Sequence, residues 1–235
     1  MINDLEDLKV DTCQVDVDGK TLETFNVPDA DGQAVAGSCR EDLDEELVSR
    51  YIAAVRETTP RLVNENDTDV LYYTGVVADR VGTELTVAGL YALGEYPQRL
   101  LPHLTLTAAV EGRGDGNTEY ALPMVAVREV IANALVHRDL SEASRGKGID
   151  LRITHDGFRL TNPGGLWGIT VDRLGSGEHP AVNEKLYQIC RNVQGHNGRV
   201  IEAMGTGIRQ ARRELRDAGM AEPRFYDNGV SFTVR

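Results

Sequence analysis

REVIANALVHRD, residues 128–139, is the stretch on which the reading of this chain turns. It reads as one helix, apolar on nearly every side, yet Glu129, Asn133 and His137 recur every fourth position. Each step of four advances about 40° around a helix of 3.6 residues per turn, so the three form one polar stripe. A buried carboxylate or amide left without a partner costs on the order of 1–3 kcal/mol. The stripe therefore faces an internal hydrogen-bond network or a ligand. On the helix alone the internal network is the favoured reading, and His137 taken singly reads as structural or superficial.

Two glycine turns lie downstream. The alternation of Ile149, Leu151 and Ile153, then of Phe158 and Leu160, predicts a hairpin turning at His155–Gly157. It ends in NPGGL, residues 162–166, where two glycines permit a tight turn or a close backbone approach. GTGI, residues 205–208, opens a helix that stops near Gly219. Glycines at a helix N-terminus expose unpaired N–H groups at the positive end of the dipole, an arrangement that suits phosphate. Each turn alone is weak.

Upstream, CQVDVDG and KTLETFNV read as short strands around Gly19. A helix is predicted from about Asp42, capped by Asp42 or Asp44 and ended by Pro60. A second covers DTDVLYYTGVV, LTVAGLYALGEYP is a third helix or a strand–helix passage, and HLTLTAAV is a strand. EGRGDGNTEY, residues 111–120, is the expected boundary, with the opening helix over roughly 123–137 beyond it. A helix is expected around 182–190 and a closing strand in GVSFTVR.

The 235 residues carry a formal net charge of −12, with 41% hydrophobic and 26% charged residues. No basic stripe stands out along the chain, which argues against this piece gripping a nucleic-acid backbone by itself. Cys13, Cys39 and Cys190 are odd in number and lie far apart, suggesting neither a disulfide framework nor a zinc site. The acidic N-terminus is wrong for a signal peptide, and no run is long enough to span a bilayer. A cytoplasmic setting is the expectation.

The order of these pieces is more specific than any of them. An ExxxN helix, a hairpin ending in a glycine turn, a long loop, GxG opening a helix and a final strand resemble the GHKL, or Bergerat-type, ATPase domain. REVIANALVHRDL, TNPGGL, GTGI and AGMAEPRF look like the ATP-binding module of bacterial proteins that carry a Schlafen/Alba-type domain. Such proteins are labelled transcriptional regulators or ATP-dependent DNA helicase-related, of the divergent AAA-4 family. The resemblance implies an α+β fold: a two-layer sandwich, a mixed sheet with helices on one face, preceded by a small α/β connecting region. It divides the chain into 1–41, an irregular or β tail of a Schlafen/Alba-type domain; 42–110, the connecting region; and 119–235, the ATP-binding domain.

The resemblance also implies residue roles. Asn133 would ligate Mg²⁺ through the nucleotide, and Glu129 would be the general base for the attacking water. Asn162, Gly164 and Gly165 fit the first glycine box, with asparagine where the family usually has the aspartate that reads adenine. Gly205, Thr206 and Gly207 fit the second, which wraps phosphate. Residues 167–200 would include a lid, and His137 and Asp139 would brace the helix end. The cofactors implied are ATP or ADP with Mg²⁺. The partners implied are ATP, a second copy of the chain, and DNA only through domains missing from this chain, with no membrane. The chain looks like a fragment or a shortened copy, lacking a winged helix and an insert between 112 and 119. SRGKGID has P-loop letters without P-loop spacing, so motor helicase chemistry is not expected. The function expected is Mg-dependent ATP binding with slow hydrolysis. A non-catalytic nucleotide sensor or scaffold is the alternative, and a protein kinase of the same superfamily the third reading.

Overall fold

A computed structural model describes residues 12–17, 20–25, 30–110, 122–154, 157–176, 181–195, 198–199, 201 and 206–235, the N-terminal hairpin by its backbone alone. The expected boundary at 111–120, the turn residues His155 and Asp156, and Gly205 lie outside the described residues, as do parts of the expected lid.

Strands β1 (Thr12–Val17) and β2 (Lys20–Phe25) pair antiparallel. Three helices follow. Helix α1 (Glu45–Thr58) starts where the Asp44 carboxylate accepts from the Leu47 N–H at 2.8 Å. Helices α2 (Asp67–Tyr73) and α3 (Val87–Leu93) are capped in the same way by Asn66 and Thr86. Strand β3 (Leu106–Val110) then leads towards α4 (Met124–His137).

Strands β4 (Ile149–Thr154) and β5 (Gly157–Pro163) form the expected hairpin. Helix α5 (Glu184–Asn192) is followed by the two-residue strands β6 (Gln194–Gly195) and β7 (Gly198–Arg199). Helix α6 (Gly207–Asp217) ends in a Schellman motif: Gly219 sits at φ 69° and the Met220 N–H donates to the Leu215 carbonyl at 2.9 Å. Strands β8 (Phe225–Asp227) and β9 (Ser231–Val234) close the fold. The sequence predicts no strand at β8, which is short and follows Pro223.

The sheet order is β3-β4-β5-β9-β8, with β3 and β4 parallel and the other pairs antiparallel. The fold is α+β, a mixed five-stranded sheet with helices on one face. Alternation sends Ile149, Leu151 and Leu160 towards α4, where they pack with Ala134, Val130, Ile131 and Leu135. A larger apolar cluster joins α1–α3 to the end of α4 and to α5, through Val136, Leu140, Leu186 and Ile189. Helix α4 is thus covered by the sheet on one side and by this cluster on another. That is why it is apolar nearly all round.

Candidate functional site

The remaining side of α4 faces a cavity of about 380 Å³, and Glu129, Asn133 and His137 all lie on its wall. The cavity sits between the sheet and the helices. Leu160, Phe225 and Phe232 line it from the sheet, and Ile208, Tyr187 and Arg191 from the helical side. Its size and its mostly apolar lining with a few convergent polar groups are those of a small-molecule site.

Glu129 is only 6% exposed. Its Oε1 accepts from Arg128 Nη2 at 3.0 Å. Its Oε2 meets the first turn of α6: a Cβ at Gly207 would stand 2.6 Å from that oxygen and 3.2 Å from Asn133 Nδ2. Glycine at 207 therefore lets the positive end of α6 close against the acid and the amide. Asn133 Nδ2 donates to the Glu129 carbonyl at 2.8 Å. A carbonyl can only accept, so the amide nitrogen faces it and Oδ1 is left for another donor or a cation.

Asn162 also lies on the cavity wall, brought there by the inward alternation of β5. It is 4% exposed, and its Oδ1 has no hydrogen-bond partner. Buried acceptors are nearly always satisfied, so this orphan points to a missing donor.

The two glycines after Asn162 differ in their reasons. Gly164 has φ 90°, and a Cβ there would stand 2.7 Å from Asp139 Cβ. The turn is pinned to the end of α4, since the Asp139 N–H donates to the Pro163 carbonyl at 2.9 Å. Gly165 lines the cavity, and a Cβ there would meet Asp227 and Gly229 at 2.8 Å. Thr206 precedes α6 and its carbonyl accepts from Gln210 at 2.9 Å. Asp139 itself caps the turn after α4, with Oδ1 accepting from the Ser141 N–H at 2.8 Å.

His137 presents its ring to the hollow and stands 6.5 Å from the Tyr187 ring. Protein atoms crowd it although the cavity leaves it accessible, and this desolvation pushes its pKa down from 6.5 to about 4. The unfolded chain takes up this proton near pH 6.5 and the folded chain only near pH 4. The histidine's contribution to stability is thus whole above pH 6.5 and declines as pH falls towards 4. Thermal midpoints recorded between pH 7.5 and 4.5 are expected to fall more steeply for the wild type than for His137→Asn. Equal slopes would place the ring in bulk water.

Several residues of this region had no signal in the sequence. Trp167, the chain's single tryptophan, lines the cavity. Arg191 is the one arginine on its wall among the described residues. Asn183 stands at the start of α5, but its side chain does not cap that helix. Its amide instead donates to the Val136 and Arg138 carbonyls, at 2.8 and 2.7 Å, closing the end of α4. Asp31 accepts from the Leu186 N–H at 2.9 Å and so fixes α5 to the first third of the chain. Among the described residues no cluster of three His, Cys, Asp or Glu could hold a metal ion. Nor, among the described residues, is any helix long and apolar enough to cross a membrane.

Comparison with known proteins adds two findings. Residues 146–235 match the family described as "Putative ATP-dependent DNA helicase recG C-terminal". The C-terminal part of the chain is therefore similar to an ATPase-like domain of helicase-related proteins. The match takes in both glycine turns and stops short of α4. Among solved structures, the DIP2311 protein from Corynebacterium diphtheriae is similar in fold, with a TM-score of 0.60 and 16% identity. The likeness covers 95% of this chain and 52% of that one, so this chain spans about half the length of that relative. No curated protein matches the chain.

Proposed function

We propose that the cavity binds ATP and that the chain is a nucleotide module of the GHKL, or Bergerat, type. It hydrolyses ATP slowly, with magnesium, to ADP and phosphate. The parent protein is a bacterial transcriptional regulator with a Schlafen/Alba-type domain, in which sequence-specific DNA recognition belongs to domains outside this chain. In this division residues 1–41 are the tail of that domain, 42–110 connect, and 119–235 bind nucleotide. A second copy of the chain is the partner expected on lid closure. One observation carries the reading: the orphaned Asn162 Oδ1 shares a wall with the Glu129–Asn133 pair and the glycine start of α6.

The residues divide the work. Asn162 accepts a hydrogen bond from the exocyclic amine of adenine, and the apolar walls hold the ring. The free Oδ1 of Asn133 ligates magnesium, an ion that takes one or two protein ligands beside phosphate and water. The metal, when bound there, would neutralise charge on the phosphates. Gly205, Thr206 and Gly207 offer backbone N–H groups to the same phosphates. Glu129 orients the attacking water and takes its proton.

A second reading is a nucleotide sensor without turnover. It is favoured by the Arg128 guanidinium that already occupies Glu129 Oε1. The emission of Trp167 tests occupancy for both readings, because a ligand in the cavity changes the surroundings of the chain's only indole. A saturable spectral change with MgATP is expected, with affinity weakened by up to about tenfold in Asn162→Ala. An unchanged spectrum together with no heat of binding would remove ATP from the cavity.

A further inference from the structure

The helix-free face of the sheet carries a row of arginines that no stretch of sequence displays. Arg152 on β4 is paired directly with Arg159 on β5. One step beyond the Leu160–Val234 pair sets Arg159 beside Arg235. Arg235 and Arg224 exchange backbone hydrogen bonds of 2.7 and 2.9 Å across β9 and β8. Arg152 on β4, Arg159 on β5, and Arg235 and Arg224 just beyond the paired ends of β9 and β8 therefore stand side by side, alternating in register with the residues that face α4. Three inter-strand gaps make the row roughly 14 Å long at the backbone.

Its neighbours are three hydroxyls and one carboxylate. The next row on the same face is Asp150, Thr161, Thr233 and Tyr226. The Thr161 and Thr233 hydroxyls lie 3.3 Å apart, and the Arg235 guanidinium stands 5.5 Å from the Tyr226 ring centre. Asp150 pairs with Arg152 at 2.9 Å. Arg159, Arg224 and Arg235 have no carboxylate partner among the described residues, and Arg159 Nε has no hydrogen bond. Like charges set directly opposite one another destabilise a sheet. In a chain of net charge −12 the repulsion is concentrated in one place, where a polyanion would relieve it.

We infer that this face holds the phosphate backbone of a single-stranded nucleic acid. Arginines and hydroxyls are the usual phosphate contacts, and they carry no sequence information. A flat sheet face suits a single strand, and Tyr226 offers one ring for base stacking. The contact is separate from the nucleotide cavity, which opens on the other side of the sheet. It was illegible along the sequence because each arginine comes from a different strand.

Anisotropy of a labelled 20-nucleotide oligothymidine, titrated with the full chain at low ionic strength, tests the inference. With three phosphate contacts, from the arginines that have no carboxylate partner, log affinity should fall against log salt with a slope of about −2. Arg159→Ala/Arg224→Ala should weaken binding at least tenfold and make the slope shallower by about 1.4. Its thermal midpoint should equal or exceed the wild type's, since a repulsion is removed. Arg61→Ala/Arg213→Ala, the same charge change at exposed sites elsewhere, should leave binding unaltered. The inference is overturned if the wild type ignores the oligonucleotide, or if both double variants weaken it equally. It is also overturned if the chain binds phosphatidylserine vesicles in preference to the strand. Self-association lost with Arg159 and Arg224, without strand binding, would assign the face to a second copy instead.

Discussion

Replacing Glu129 by Gln is expected to reduce phosphate release from ATP by 10²- to 10⁴-fold, the usual contribution of a positioned general base. The change keeps the shape of the side chain and removes its capacity to take a proton. ATP affinity should stay within a few-fold, because Asn133, Asn162 and the start of α6 are untouched. The carboxylate is well placed to act as a base. It is 6% exposed, on the cavity wall, one turn from an amide whose oxygen is free. Arg128 and the first turn of α6 hold it from either side. Single-turnover phosphate release, measured beside ATP binding, checks this. Equal release from both proteins would take the base away from Glu129. Tight binding with no release from either would establish the sensor reading.

The largest effect on folding is expected at Gly89. A methyl group there would stand 2.1 Å from the Val76 carbonyl oxygen and 2.8 Å from its carbonyl carbon. The obstacle is backbone, fixed by the Thr86 N–H donating to that same oxygen at 3.0 Å. It cannot rotate away as a side-chain tip can. Alanine would gain about 1 kcal/mol of helix propensity, yet overpacking of a close backbone contact outweighs it. A net loss of about 2–3 kcal/mol, or roughly 5–10 °C in thermal midpoint, is expected for Gly89→Ala. The disturbance should reach the cavity, since Leu90 and Leu93 of α3 share a core with Leu186 and Ile189 of α5. An unchanged midpoint would show that α3 and the Val76 segment can separate freely.

What the sequence discloses depends on how far apart the cooperating residues lie. The polar stripe of α4 is legible because helical spacing alone aligns Glu129, Asn133 and His137. The β4–β5 hairpin is legible because alternation over a short interval fixes its faces. Gly207 could be read as a glycine at a helix start, but not as the residue that lets α6 meet Glu129. That contact joins positions far apart in the chain. Gly89 looks like a weakness in a helix until Val76 is seen against it. The sequence allows a tight turn or a close approach to a ligand at Gly164; its φ of 90° fits the turn against Asp139, and Gly165 rather than Gly164 lines the cavity. Strand β8 is not legible because three residues carry too little alternation, and without it Arg224 has no place beside the other arginines.

Calorimetric titration of ATP with and without magnesium, on the wild type and on Asn133→Ala, tests the central claim most directly. The account predicts that magnesium strengthens ATP binding to the wild type. In Asn133→Ala the metal should make no difference, while the metal-free affinity persists. The same magnesium-dependent gain in both proteins would contradict it.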